Sequence, residues 1–339
     1  MPAALPETMQ TARLRLRPVA ATDRALVVAA MNDLAVSGWL SSVPHPYAVA
    51  DFEHFLTKIA LPCRVFAIDD DAGFAGVIGL EAELGYWLMP RAQGLGYTTE
   101  AARAVLAGHF AANRAAVITG YFAENARSAR VLAKLGFAEY GRGAKMCRAT
   151  GHERPHVDMT LTFADFIGTQ PMAAQSARLS YRDLQPFDAS ALHEIVSNRD
   201  VVRQLGSFPW PADPAFTATR ANPYRGDGFA WGVFLSGRLI GTVAVTKGEL
   251  GYMIAPAAWR QGFAQEACRC ALSHAFETLP LDEITAGVWA DNAASRGLLA
   301  KLGFLVTRQT NEMSLARGAL ADGFDLRLTR TTWATRRGA

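Results

Sequence analysis

The sequence predicts an α+β protein built from two copies of one domain. The tetrapeptide Glu-Leu-Gly-Tyr begins at Glu83 and again at Glu249, 166 residues later. Ten residues after each comes a glycine-containing loop, and each loop is followed by an Asn-x-x-Ser segment that ends in Lys-Leu-Gly-Phe, at Asn125 and at Asn292. This period is far longer than the ~20–50 residues of a solenoid repeat, so it indicates a duplicated domain.

Length and composition agree with that interpretation. The 339 residues fit two domains of roughly 150 residues each. Half of the residues are hydrophobic and 19% are charged, which is enough for a buried core in each copy. We assign residues 1–167 to copy one and 176–339 to copy two. Residues 168–175 carry little hydrophobic pattern and are predicted to be a linker.

The order of elements is the same in both copies. Each copy begins with a short alternating strand, and a helix with an aspartate near its start follows. A segment rich in proline and aromatic residues comes next, at 39–47 and 208–214. Three strands, the glycine loop, a helix, a strand, the Asn-x-x-Ser helix and two closing strands complete the copy. This order predicts a mixed, mostly antiparallel sheet flanked by helices.

Several classes of function are disfavoured. A net charge of +3 gives no reason to expect nucleic acid or membrane as a partner. No stretch approaches the ~18 apolar residues of a membrane helix, and the start lacks a signal-peptide pattern, so we expect a cytoplasmic protein. The four cysteines lack zinc-ligand spacing. The string His152-Glu-Arg-Pro-His156 matches a zinc-protease motif, but Pro155 would break the helix that this motif needs, so no metal is expected.

The glycine loop is the main candidate for a binding site. A strand that stops at glycines and opens a helix directs unpaired backbone N–H groups and the positive end of the helix dipole at one point, which suits a phosphate. Gly94-x-Gly96 continues to Thr99 rather than glycine, so it does not match the dinucleotide fingerprint, and neither loop has a P-loop ending. The Asn-x-x-Ser block also has a purely structural interpretation, as a helix with a good N-cap and a glycine at its end.

Taken together, these motifs resemble the GNAT superfamily of acetyl-CoA-dependent N-acetyltransferases. The resemblance lies in Gln/Arg-x-x-Gly-x-Gly/Ala after a strand, followed by Asn-x-x-Ser and Lys-Leu-Gly-Phe. The Glu-Ala continuation of the loop, the proline-rich aromatic segment and the closing residues 328–333 resemble its RimJ/RimL branch, the ribosomal-protein-alanine type. The resemblance covers nearly the whole chain and implies two tandem GNAT-like acyl-CoA N-acyltransferase domains.

The resemblance also implies which residues bind the coenzyme. The loop backbone would hold the pyrophosphate, the pantetheine arm would lie beside the third strand, and the asparagine would hydrogen-bond the arm. The residues are Leu88, Gln93, Gly94, Leu95, Gly96, Tyr97, Thr98 and Asn125 in copy one, and Ile254, Trp259, Arg260, Gln261, Gly262, Phe263, Ala264 and Asn292 in copy two.

Two loop positions depart from the family pattern. Thr98 stands where glycine or alanine is usual, and Trp259 stands where glutamine or arginine is usual. In copy one the loop motif can also be aligned from Arg91. Alignment from Gln93 is preferred, because it places Glu100 at the position of the loop glutamate in copy two.

The expected chemistry is attack of a neutral amine on the thioester. At pH 7 deprotonation costs roughly 1.4 kcal/mol for an α-amine of pKa ~8 and roughly 4.6 kcal/mol for a lysine of pKa ~10.4. Glu83 and Glu249 are the candidate general bases, and the alternative is that both are ordinary edge carboxylates. Many relatives have a proton-donating tyrosine seven residues after the asparagine, but leucine stands there in both copies. Ser128 and Ser295 are therefore the candidate donors to the leaving thiolate, or simple helix-turn residues.

The sequence thus predicts an acetyl-CoA-dependent N-acetyltransferase that acts on a primary amine, either a protein N-terminus or a small molecule. The alternative is that one or both copies are non-catalytic modules that bind acyl-CoA or act as scaffolds, and Thr98 makes copy one the weaker candidate. Antibiotics, polyamines and small metabolites remain open as acceptors. The chain is expected to be a monomer that imitates a dimer, or a homodimer.

Overall fold

The computed structural model describes residues 5–337, and the chain divides into two compact units between Gln170 and Pro171. This boundary falls within the segment predicted to be the linker. Within that segment Gly168 ends a helix of the first unit, while Ala174 and Gln175 form a strand of the second. Each unit contains helices and mixed strands in the same order, so the predicted α+β class with two tandem domains is confirmed.

Copy one supplies the first eight strands and six helices of the described residues. The strands are β1 (Met9–Gln10), β2 (Arg15–Pro18), β3 (Val65–Asp70), β4 (Gly73–Leu80), β5 (Leu84–Leu88), β6 (Val117–Phe122), β7 (Ala138–Cys147) and β8 (His152–Leu161). The helices are α1 (Arg24–Met31), α2 (Leu34–Ser37), α3 (Val49–His54), α4 (Tyr97–Ala112), α5 (Ala126–Leu135) and α6 (Phe163–Gly168). Strands β1 to β5 form one antiparallel sheet in chain order, and β6, β8 and β7 form another.

The gap between these two sheets is the main feature of copy one. Within residues 5–337 no ladder joins β5 to β6. The hydroxyl of Thr119 on β6 donates to the carbonyl of Leu84 at the start of β5, 2.7 Å away. The gap therefore opens toward the ends of the two strands, at Leu88 and Phe122.

Copy two repeats the order. Its strands are β9 (Ala174–Gln175), β10 (Ser180–Asp183), β11 (Gly228–Leu235), β12 (Arg238–Thr246), β13 (Glu249–Ile254), β14 (Glu283–Trp289), β15 (Leu305–Ser314) and β16 (Ala319–Thr329). Its helices are α7 (Ala189–Val196), α8 (Arg199–Val202), α9 (Pro214–Arg220), α10 (Phe263–Thr278), α11 (Ala293–Leu302) and α12 (Arg330–Arg337). Here one sheet runs through all eight strands, but β13 and β14 share only the parallel pair Glu249–Thr285, so the same two strands diverge.

The predicted caps of the helix after the gap are confirmed in both copies. The side-chain oxygen of Asn125 accepts from the backbone N–H of Ser128 at 3.1 Å, and Asn292 accepts from Ser295 at the same distance. The helices end at glycines with φ of 90° in copy one and 100° in copy two, a left-handed conformation that favours glycine. The asparagines are thus fixed at one end of the gap by ordinary helix capping.

The zinc-protease string of copy one is not helical. His152 and His156 both lie on β8, where Pro155 is accommodated within the strand. The prediction that this string does not form a continuous helix is confirmed.

Among residues 5–337, no helix combines the length and the hydrophobicity needed to cross a membrane.

Candidate active site

Copy one contains a cleft of about 1970 Å³ that follows the gap between β5 and β6. Most of the site residues predicted for this copy line it: Glu83, Leu88, Gln93, Gly94, Gly96, Tyr97, Thr98, Asn125 and Ser128. Leu95 does not, and its side chain is half exposed. The structure therefore brings together the glycine loop, the end of the third strand and the start of the Asn-x-x-Ser helix.

The glycine loops present open helix N-termini. Helix α4 begins after Gly96, whose φ is 83°, and α10 begins after Gly262, whose φ is 80°. Neither helix has a side-chain cap, so no side chain of the cap residue competes for its first N–H groups. Each helix is 16 residues long, so its dipole is fully developed. Both loops can receive a negatively charged group at this point.

An ion pair between the exposed Arg13 and the partly buried Glu100 supports the loop of copy one. Glu100 on α4 accepts from the hydroxyl of Thr11 at 2.6 Å, and from the backbone N–H of Arg13 at 2.9 Å and its Nε at 2.8 Å. The same guanidinium donates to the carbonyl of Leu95 at 3.0 Å. Burial would raise the pKa of Glu100, but the hydrogen bonds from Thr11 and Arg13 outweigh it and hold the pKa below its usual range.

Copy two has the same support. Glu266 accepts from Ser176 at 2.7 Å and from the backbone N–H and Nε of Arg178 at 2.8 and 2.7 Å, and Arg178 also donates to the carbonyl of Gln261. Here too burial acts to raise the pKa of the glutamate, and hydrogen bonds from Ser176 and Arg178 lower it overall. The glutamate of the loop motif thus shapes the loop rather than reaching the gap.

Trp259, which departs from the family pattern, has the same structural role as Gln93. The side-chain amide of Gln93 donates to the carbonyl of Leu88 at 3.1 Å, and the indole N–H of Trp259 donates to the carbonyl of Ile254 at 2.6 Å. Both residues secure the last carbonyl of the strand that borders the gap.

A tyrosine that the sequence analysis missed lies at the candidate serine in each copy. The hydroxyls of Tyr86 and Ser128 are 2.8 Å apart, and those of Tyr252 and Ser295 are 2.6 Å apart. Burial raises the pKa of Tyr86 to about 12, and burial likewise raises the pKa of Tyr252. Both tyrosines belong to the repeated Glu-Leu-Gly-Tyr, and that repetition was the signal available in the sequence.

The two candidate bases are differently placed. Glu83 lies just before β5, is exposed, and has a carboxylate 3.6 Å from the ammonium group of Lys145. Glu249 is also exposed, and it belongs to the residue pair that joins β13 to β14. Glu83 lines the cleft of copy one, near its closed end.

The aromatic segment of copy one forms the far part of the cleft. Trp39 and Tyr47 line it, and Arg154 on β8 holds the segment by donating to the carbonyl of Gly38 at 2.6 Å. The guanidinium of Arg154 also lies 4.7 Å from the centre of the Trp39 ring. The segment is therefore attached to the closing strands and faces the same cleft as the glycine loop.

Each copy combines an open glycine loop, two diverging strands and a capped helix with a Tyr–Ser pair. The chain belongs to the acetyltransferase (GNAT) family, whose domain model matches residues 13–138 and again 178–305. The recognition of two tandem GNAT copies is confirmed.

Individual relatives match one copy at a time. The uncharacterized N-acetyltransferase YoaA of Bacillus subtilis is 34% identical over 143 residues, which is 38% of this chain and 81% of the relative. A solved RimL, a ribosomal L7/L12 alpha-N-protein acetyltransferase in complex with coenzyme A, is 16% identical, with a TM-score of 0.41, over 47% of this chain and 98% of that one. A spermidine N-acetyltransferase of Vibrio cholerae, in complex with coenzyme A and spermine, is 20% identical, with a TM-score of 0.40, over 47% and 99%.

Proposed function

We propose that copy one binds acetyl-CoA and transfers its acetyl group to a primary amine. The observation that carries this proposal is that the open glycine loop, Asn125 and the Tyr86–Ser128 pair all line one cleft. Holding a thioester and an amine in one cleft converts a bimolecular reaction into one within a complex, which is the main contribution such an enzyme can make.

The residues of copy one fit the phosphates of coenzyme A. Gly94 and Gly96, with φ of 79° and 83°, allow an anion to approach the backbone closely. Helix α5 also places Arg127, Arg130 and Lys134 on the cleft. Their spacing of three and four residues puts these cations on one helix face, where they can attract the negative charge of the coenzyme.

The gap itself fits the pantetheine arm. The edges of β5 and β6 that face it are not paired with each other within the described residues, so amide groups of the arm can supply the missing hydrogen bonds. The Oδ1 of Asn125 is engaged by the backbone of Ser128. This leaves its side-chain NH₂ as the group to donate to the arm.

The Tyr86–Ser128 pair is the proposed proton donor to the leaving thiolate. Because burial raises the pKa of Tyr86 to about 12, its hydroxyl stays protonated at neutral pH. Tyr86 can therefore donate to Ser128 Oγ and free the serine proton for the sulfur. The sequence offers leucine where relatives carry a tyrosine on the helix, and both leucines are buried in the core, as Leu132 and Leu299. The strand supplies the phenol instead.

Copy two is the candidate for a non-catalytic, acyl-CoA-binding or scaffolding module. Arg260 takes the place of Gly94 with a φ of 59°, a left-handed conformation that costs a non-glycine residue about 1–2 kcal/mol. Ala294 and Gly297 take the places of the first two cations on the helix after the gap. These features favour copy two, rather than copy one with its Thr98, as the weaker binder.

The acceptor is proposed to be a primary amine of a peptide N-terminus or of a polyamine. The names of the similar proteins include a ribosomal-protein acetyltransferase and a spermidine acetyltransferase. The cleft of copy one also carries acidic side chains that suit a cationic amine, among them Asp51 and Glu81.

The test is release of free coenzyme A thiol from acetyl-CoA by the full-length protein, with an alanyl peptide, spermine and an aminoglycoside as acceptors. Turnover with at least one amine, and a mass increase of one acetyl group on that amine, are expected. Absence of turnover across the panel, in a protein that still binds coenzyme A by calorimetry, would reject the enzymatic proposal and favour the binding module.

A further inference from the structure

His156, the second histidine of the rejected zinc-protease string, lies in the cleft of copy one. It is only 8% exposed and sits on β8 directly opposite Phe122 of β6. Its ring meets the ring of Phe122 edge to face, with centroids 5.8 Å apart. The gap between β5 and β6 therefore has an imidazole beside its open end.

Asp158 fixes the orientation of this imidazole. Nδ1 of His156 and Oδ1 of Asp158 are 3.0 Å apart. A carboxylate can only accept, so Nδ1 carries a hydrogen, and in the neutral imidazole Nε2 keeps its lone pair. Among residues 5–337 no hydrogen bond is made by Nε2. A Cβ at position 120 would lie 2.8 Å from Nε2. The imidazole ring can therefore lie over β6 because residue 120 is glycine.

The imidazole is on the side of the acceptor segment. Side chains two residues apart on a strand point to the same face, so His156 and Arg154 share a face of β8. Arg154 contacts Gly38 and Trp39 of the aromatic segment. A base at this position faces the part of the cleft that we assign to the amine.

The charged groups around His156 are mostly paired with one another. On its own strand they are Asp158 and Arg154, and Arg154 pairs with Glu124, which follows β6, at 3.2 Å. Lys145 on the neighbouring β7 pairs with Glu83 at 3.6 Å. Glu83, the other candidate base, thus has a cation beside it, whereas the printed hydrogen-bond partner of the His156 imidazole is the carboxylate of Asp158.

We propose that His156, oriented by Asp158, is the general base of copy one; this inference rests on the proposed acetyltransferase function. Nε2 takes one proton from the acceptor ammonium group and passes it to water. The neutral nitrogen attacks the thioester carbonyl, the C–N bond forms, and the C–S bond breaks with its electron pair on sulfur. The thiolate takes a proton from Ser128, and the second proton of the nitrogen returns to the Tyr86–Ser128 pair. One acetamide, one thiol and the one proton released through His156 result, and the protein is restored.

Copy two cannot perform this step in the same way. The residue opposite Trp289 on β16 is Gly323, the counterpart of His156. A Cβ there would lie 2.8 Å from the hydroxyl oxygen of Thr310 and 3.0 Å from the carbonyl oxygen of Val288, so the site lacks space as well as the imidazole. The counterpart of Asp158, Asp325, pairs with Arg308 at 2.7 Å.

The experiment compares His156→Gln with His152→Gln, a matched change at the exposed histidine of the same string. Steady-state rates are measured from pH 5.5 to 9 with two acceptors whose amines titrate at different pH values. His156→Gln is expected to lower kcat by about 100-fold or more at pH 7 and to remove the acid limb of the kcat profile. The KM for acetyl-CoA and the calorimetric affinity for coenzyme A should stay within about twofold. His152→Gln should match the wild type.

Three outcomes would overturn the inference: a His156→Gln rate within threefold of wild type, an unchanged acid limb, or loss of that limb in Glu83→Gln instead. If His156→Gln is too unstable to assay, Asp158→Asn tests the proposal instead. This variant keeps the imidazole but should shift the acid limb of the kcat profile, and an unshifted limb rejects the proposal. A wild-type protein that is inactive with every amine would contradict the proposed function itself, which is a different result.

Discussion

In copy one the glycine loop has Gly94 at φ 79°, and in copy two it has Arg260 at φ 59° in the same place. Beyond the loop, the first two cations of α5, Arg127 and Arg130, and the imidazole of His156 are replaced by small residues in copy two. The glutamate–arginine support, the asparagine caps and the Tyr–Ser pairs are the same in both. The groups that shape the fold have been kept, whereas those that would meet the ligand's charge have diverged.

The largest difference between the copies is expected at the loop glycines. Gly96→Glu places a carboxylate at the N-terminus of α4, where the coenzyme diphosphate would bind, and forces a non-glycine residue to φ 83°. We expect kcat/KM for acetyl-CoA to fall by at least about 100-fold, since electrostatic repulsion and backbone strain add. Gly262→Glu in copy two should change it by less than about threefold. A loss of about half in each variant would instead show that both copies are catalytic.

The Tyr–Ser pairs provide the next comparison. Tyr86→Phe or Ser128→Ala should lower kcat by about 10- to 100-fold and leave the KM for acetyl-CoA unchanged, because the proton donor is lost but the binding loop is not. Tyr252→Phe and Ser295→Ala are the matched controls. Since the raised pKa of Tyr86 lies near 12, the wild-type kcat should show no basic limb from this group below pH 10. A normal kcat in Tyr86→Phe would assign the pair a structural role only.

The prediction of the site from sequence had a clear limit. Loops, caps and the order of the strands were predictable because they depend on neighbours within a few residues. The strand before the loop of copy two, Glu249–Ile254, and the strand before the Asn-x-x-Ser helix of copy one, Val117–Phe122, lie where that order places them. The contact of Tyr86 with Ser128 joins residues 42 positions apart, and no local pattern specifies it. The sequence around His156 matches only a zinc-protease string. Its place in the cleft depends on the pairing of β8 with β6, which the string does not indicate.

A smaller effect is expected from the cations of α5. Arg130→Ala combined with Lys134→Ala should raise the KM for acetyl-CoA by about 3- to 10-fold, because exposed charges near phosphate each contribute on the order of 0.5–1 kcal/mol. The effect should shrink at high salt, where such interactions are screened. In copy two, Ala294→Arg with Gly297→Arg supplies the cations that correspond to Arg127 and Arg130, and tests whether coenzyme affinity can be increased there. A KM that does not respond to either change would place the phosphates elsewhere.

The smallest effect should be shared by both copies. Glu100→Gln and Glu266→Gln each weaken hydrogen bonds to a charged carboxylate, so each should lower the Tm at pH 7 by about 3–6 °C. The lowered pKa of each glutamate means that its stabilising contribution is present above the unfolded-state pKa of ~4.3 and is lost as the pH falls through the folded-state pKa. The Tm difference from wild type should therefore disappear in acid. A pH-independent difference would indicate a packing defect instead.

The support that ties each loop to its own first strand also decides how the two halves can be separated for expression. Thr11 and Arg13 in one half, and Ser176 and Arg178 in the other, reach carboxylates nearly ninety positions further along the chain. A fragment trimmed to begin after these residues would retain its hydrophobic centre and yet lose the clamp on its coenzyme loop. Inactivity of such a fragment would then reflect where it was cut rather than what the intact half can do.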